Sequence, residues 1–304
     1  MKKNELMPFV AMGIMLVIVQ ILAILLSPVM NEAGYSAFED PKALENTIYF
    51  IAILLAFTGA MLVLIKIKGK KLLSWIIGGS IFLVFVYIFA AVLGKLIGVN
   101  IATSALALIL SVGTTVLLYK YPEWYVIDIL GILICAGSAS IFGISFEIFP
   151  VIILLILLAV YDAISVYKTK HMLTLADEVI ETKAPILVVI PKSMKYSYIK
   201  EGIELKSEKS ERGAFMMGMG DLIMPSILVV STYVYLDAPL LPVGISLPTL
   251  TAIIGSLAGL SLLLYFVAKG KPQAGLPTLN GGTILGFLSG CALSGSWGWL
   301  LNIF

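Results

Sequence analysis

A chain of 304 residues that is 60% hydrophobic and 12% charged, with a mean hydropathy of +1.05, carries too little polar surface to enclose a soluble core of its size and reads as a polytopic membrane protein. The net charge of +2 says little about partners and gives no ground for a nucleic-acid ligand. Both cysteines, Cys135 and Cys291, lie inside apolar runs and are read as packing residues, so no disulfide, metal or other cofactor is expected.

In chain order, nine apolar stretches have the roughly 17–25 residues that a helix needs to cross the hydrocarbon layer. They fall at 8–29, 47–65, 72–93, 101–118, 124–142, 148–167, 213–236, 247–268 and 283–304. The first lacks a small-residue cleavage site and is read as a retained span. Because an open sheet edge cannot be satisfied in lipid, all nine are expected to be helical. The chain divides into a six-helix part (1–168), a long polar loop (169–212) and a three-helix part (213–304).

Lysine and arginine set the orientation. Every basic residue except Lys42 and Lys95 falls at the amino terminus or in the connections after the second, fourth, sixth and eighth spans. By the positive-inside rule the amino terminus and the loop after the sixth span are cytoplasmic, and Phe304 is outside. The expected location is the cell membrane, multi-pass.

Within the long loop, Ile186-Leu187-Val188-Val189-Ile190 is a β-branched run bracketed by Pro185 and Pro191. It reads as a short strand, either packed on the helix ends or serving as an edge that receives an extended peptide. His171, the single histidine, falls in the same loop and reads as a solvated residue.

Three carboxylates stand inside apolar spans: Asp128 in the fifth, Asp162 in the sixth and Asp221 in the seventh. A charge in hydrocarbon costs about 3 kcal/mol on insertion scales, so such residues are functional by default. At 1.5 Å of rise per residue, Asp162 lies about 9 Å from Lys168 and Asp221 about 13 Å from Arg212, the same third of the membrane; Asp128, about 12 Å from Lys120, is not separated from them by depth. Gly218 and Gly220 permit close approach or unwinding ahead of Asp221. A facing pair of carboxylates sharing one proton can activate water and polarise a carbonyl, which is the minimum equipment for amide hydrolysis without metal or cofactor. Two unrelated polar residues, one pairing helices and one lining a cavity, would leave the same charges in the same spans.

Tyr161-Asp162 on the sixth span and Gly218-Met219-Gly220-Asp221 on the seventh resemble the paired motifs of the presenilin and signal-peptide-peptidase family of intramembrane aspartyl proteases. Pro277-Thr278-Leu279, ahead of the ninth span, is similar to that family's Pro-Ala-Leu motif, with threonine in the alanine place. Asp221-Leu222-Ile223-Met224-Pro225 and Asp128-Ile129-Leu130-Gly131 are closer to the signal-peptide-peptidase branch, which makes Asp128 a family feature and not a catalyst. The resemblance implies a nine-helix fold, catalysis by Asp162 and Asp221, and substrate contacts from Pro277, Thr278 and Leu279. Pro277 predicts an extended or kinked segment there. The lysine bias matches the presenilin orientation, and the chain looks like a compact archaeal member that needs no accessory subunit. Substrates would be the transmembrane helices of other proteins, and a homo-oligomer is compatible with the sequence.

Two other readings use the same acids. Prepilin and preflagellin peptidases carry Gly-x-Gly-Asp but with fewer spans. A proton-coupled transporter would use Asp128, Asp162 and Asp221 as a relay, although paired half-helices and an inverted repeat are not seen in the sequence.

Overall fold

The computed structural model describes residues 3–67, 70–169, 185–193, 196–201, 213–269 and 273–303. Six helices come first: α1 (Lys3–Glu32), α2 (Leu44–Lys66), α3 (Lys70–Ile97), α4 (Ile101–Lys120), α5 (Trp124–Ser145) and α6 (Ile148–Ile164). A π-helical turn, Ser165–Thr169, continues α6. Then come strands β1 (Leu187–Pro191) and β2 (Ala214–Gly218), with the helical turn Tyr198–Glu201 between them. Helices α7 (Met219–Tyr235), α8 (Leu247–Val267) and α9 (Leu276–Ser294) complete the bundle, followed by the 3-10 segment Gly298–Ile303. Most of the polar loop, including His171, lies outside the described residues.

Among the described residues, eight helices are long and apolar enough to cross a membrane, the sixth when α6 is counted with its π-helical continuation to Lys168. The exception is α7, with 17 residues. The expected seventh span, 213–236, therefore begins with a strand and not with a helix. Ala214-Phe215-Met216-Met217 is as apolar as the helix after it, so periodicity could not separate them. Pairing with β1 holds the segment extended, and Gly218, in the extended region at φ −64° and ψ 136°, is the N-cap where the helix starts.

The ninth span also differs from expectation. The helix runs Leu276–Ser294, whereas the hydropathy pattern placed it at 283–304. Pro277 falls at its first or second position, where a proline's missing N–H costs nothing because no intrahelical acceptor precedes it. At the other end Gly295 adopts φ 69°, the left-handed conformation that closes a helix. Pro277-Thr278-Leu279 is thus a helix's first turn and not an extended or kinked segment. Thr278 Oγ1 donates to Gly275 O at 2.9 Å, and the Leu279 side chain is fully buried.

Helices α8 and α9 are in backbone contact. A Cβ built on Gly282 would lie 2.4 Å from the Gly255 carbonyl oxygen, and one on Gly259 would lie 2.3 Å from that of Thr278. In lipid, where no hydrophobic drive separates helix from solvent, such contact along small residues is what packs helices together. Polar ties fix the neighbours: Gln20 Nε2 of α1 donates to Ser256 Oγ of α8 at 2.9 Å, and Asn280 Nδ2 of α9 donates to Leu155 O of α6 at 3.0 Å. By contrast α2 buries only Asn46, Thr47 and Met61 and lies at the periphery. Replacing Gly282 with valine must force α8 and α9 apart. The expected result is a destabilisation of about 3 kcal/mol, read as a lowered thermal midpoint in detergent.

Candidate active site

Two carboxylates meet at the start of α9. Asp162 is the third-last residue of α6 and is 7% exposed. Its Oδ2 accepts a hydrogen bond from the Leu276 N–H at 3.1 Å, and the Gly275 N–H also points to it. Asp221 is in the first turn of α7, three residues after the Gly218 cap. Its carboxylate packs against Gly275 so closely that a Cβ there would lie 2.9 Å from Oδ1 and 3.2 Å from Oδ2. Asp162 and Asp221 are near enough to interact electrostatically. Gly275 thus borders both acids, Leu276 N–H bonds Asp162, and the side chain missing from Gly275 is what leaves room for Asp221.

The electrostatics follow from helix ends. Unpaired N–H groups give a helix N-terminus about half a positive charge. Asp221 sits in the first turn of α7, and Asp162 receives a hydrogen bond from the first turn of α9. Each acid therefore has a helix N-terminus beside it, which offsets part of the cost of a carboxylate in a dry setting. Pro225, four residues after Asp221, has no N–H to give, so the Asp221 carbonyl lacks its usual helical donor.

Tyr167 completes the support. Its hydroxyl donates to Gln273 Oε1 at 2.8 Å and accepts from the Ala274 N–H at 3.1 Å. The chain just ahead of Gly275 is thereby pinned to the π-helical turn that follows Asp162. Sequence reasoning missed Tyr167, Gly275 and Leu276. Gly275-Leu276-Pro277, a cap-like glycine ahead of an N-terminal proline, was the available signal.

The remaining expected residues are placed as follows. Tyr161 precedes Asp162 on α6 and is half-buried. Gly218 caps α7, where an added Cβ would lie 3.5 Å from Asp221 Oδ2, and Gly220 is exposed. Asp128 is not part of the pair: its Oδ1 accepts from the Val189 N–H of β1 at 2.9 Å. The run 186–190 forms a strand, shifted by one residue to Leu187–Pro191, and pairs antiparallel with β2 from Leu187↔Gly218 to Pro191↔Ala214. With β2 on one side and Asp128 of α5 on the other, β1 is not the open edge. Among the described residues no further strand lies beside β2.

The family model described as signal-peptide peptidase, presenilin aspartyl protease matches residues 12–296, nearly the whole chain. The chain belongs to that family. Two solved structures of a presenilin family intramembrane aspartate protease, in space groups C222 and P2, are each 50% identical to it. Each alignment covers 94% of this chain, with 99% and 98% of the other chain and TM-scores of 0.71 and 0.69. Nothing among curated proteins matches. The protein is accordingly an intramembrane aspartyl protease, a hydrolase acting on transmembrane substrates in a bilayer, and neither the prepilin-peptidase nor the transporter reading is favoured.

Proposed function

We propose that Asp162 and Asp221 are the catalytic dyad of this protease and that its substrate is cut as an extended strand laid beside β2. The observation that carries the first part is the convergence of both carboxylates on Gly275, beside the Leu276 N–H that bonds Asp162. With one proton between them, the ionised carboxylate takes a proton from water as the water oxygen attacks the scissile carbonyl carbon. The protonated carboxyl donates its proton to the carbonyl oxygen. Collapse of the tetrahedral intermediate then breaks the C–N bond, and the amine leaves with a proton from the dyad. A peptide bearing a hydroxyl-substituted tetrahedral carbon in place of the scissile carbonyl should bind the wild type and compete with substrate. Unchanged hydrolysis at saturating inhibitor would count against this assignment.

The second part follows from hydrogen bonding. A transmembrane helix hides its carbonyls in its own bonds, so it must unwind before water can attack, and the freed backbone then needs new partners. β1 has its central outward donor, the Val189 N–H, already taken by Asp128. β2 offers the outward groups of Ala214, Met216 and Gly218, only a few residues ahead of Asp221. Proline at position 216 would remove one outward donor while leaving the β1 pairing intact. Met216→Pro is expected to lower cleavage about tenfold. Substrates with glycine near the cut should be favoured over stiff helices. Equal cutting of both, or an unaffected Met216→Pro enzyme, would remove the strand-pairing step.

The lysine pattern supports a cytoplasmic amino terminus and an extracytoplasmic carboxyl terminus in the cell membrane, with cleavage towards the cytoplasmic end of the substrate. No accessory subunit is required in this reading. The substrate-binding role assigned to Pro277, Thr278 and Leu279 is narrower than the motif suggested. Leu279 is buried, and the neighbouring Gly275 and Leu276 backbone is what borders the acids.

A further inference from the structure

We propose that Asp128 is a positioning residue: by holding the Val189 N–H it fixes the two-stranded ribbon relative to the dyad and so sets which bond of a bound strand is cut. This rests on the reading of β2 as the substrate-bearing edge.

The pairing pattern defines what Asp128 does. Met219 N donates to Ile186 O at 3.1 Å, and Lys192 N to Gly213 O at 2.9 Å, so the even-numbered residues of this stretch turn their backbone groups towards β2. Val189 N–H therefore points the other way, away from β2 and into α5. Asp128, 8% exposed, accepts it at 2.9 Å. A buried amide without an acceptor is costly, and a carboxylate acceptor makes about twice as strong a bond as a neutral one.

The same face of α5 grips the ribbon further along. Gly131, three residues on, has Met219 against it, with Met219 Cε 2.7 Å from where a Cβ would stand. Cys135, seven residues on, has its Sγ 3.7 Å from Met219 O. Residues spaced by three, four and seven share one helix face, and this face holds both the middle of β1 and the residue two before Asp221. Glu123, at the N-cap of α5, accepts from Tyr198 N–H at 3.0 Å and from Ser197 Oγ at 2.6 Å, fixing the chain after β1. α5 is therefore the bench on which ribbon and dyad are aligned. Loosening its central contact lets the ribbon shift along the helix, and any strand paired with β2 shifts with it.

The test maps the cut bond and the kinetic constants for a single-span substrate in reconstituted vesicles. Asp128→Ala should spread cleavage to neighbouring bonds and lower kcat/KM by roughly ten- to a hundredfold, mostly through KM. Asp128→Asn retains an acceptor oxygen and should restore the wild-type bond, with less than about a threefold loss. Val189→Pro removes the same N–H from the strand side without touching α5 and should reproduce the alanine pattern. Amide exchange over 186–191, which needs no activity, should quicken in Asp128→Ala and Val189→Pro alone. A single wild-type cut with unchanged KM in either of those variants would overturn the proposal, as would Asp128→Asn behaving like Asp128→Ala. Failure of the β2 reading is separately visible, as an unaffected Met216→Pro enzyme.

Discussion

Replacing either Asp162 or Asp221 with asparagine is expected to abolish peptide hydrolysis, by about a thousandfold or more, while the helical bundle keeps its thermal midpoint within a few degrees. Asparagine fills nearly the same volume, and at 162 its oxygen still accepts from Leu276 N–H. What it cannot do is exchange a proton. In a dyad, one acid must take a proton from water while its partner gives one to the carbonyl, so neither is redundant and the two losses do not add. A double substitution should therefore be no worse than either single one. The same sharing predicts a bell-shaped dependence of kcat/KM on pH: the rate falls at low pH, where both acids are protonated and no base remains, and at high pH, where both are ionised and no acid remains. A sigmoidal profile with a single limb would point to one functional carboxylate.

Gly275→Ala is expected to cost about a hundredfold in kcat with little effect on stability. The new methyl would stand 2.9 Å from Asp221 Oδ1 and 3.1 Å from its carboxyl carbon. Because Asp221 is the movable party, it would rotate away and not unseat the helix. Displacing a reacting group by about 1 Å commonly costs a hundredfold. Measured kcat and KM, set against the thermal midpoint, separate this outcome from general disruption. A Gly275→Ala enzyme with wild-type kcat would mean that the acids meet elsewhere in the working state.

These two predictions differ in how visible their residues were beforehand. Asp162 and Asp221 were legible because charge inside a hydrophobic span is expensive, and because Tyr161-Asp162 and Gly218-Met219-Gly220-Asp221 fall on successive spans. Gly275 and Leu276 contribute backbone, which has no side-chain signature, and Tyr167 acts through a contact to Gln273 more than a hundred residues away. The strand β2 was hidden for a related reason. Ala214-Phe215-Met216-Met217 has a helix-compatible composition, and only its long-range partner β1 makes it extended. Asp128 reads as a family feature and not a catalyst, and its partner, a strand amide 61 positions away, could not be read from spacing. The ninth span was displaced because Gly281 and Gly282 dilute the hydropathy of its first turns, where closeness to Gly255 and Gly259 matters more than greasiness.

The most direct measurement incubates the purified chain, reconstituted in vesicles, with a single-span substrate, and identifies the fragments by mass for the wild type, Asp162→Asn and Asp221→Asn. The expected result is two complementary fragments from a cut within the span for the wild type, and intact substrate for both variants at equal protein and equal fold. Fragments of the same mass from either variant, at more than a trace of the wild-type rate, would contradict the assignment of Asp162 and Asp221 as the catalytic pair.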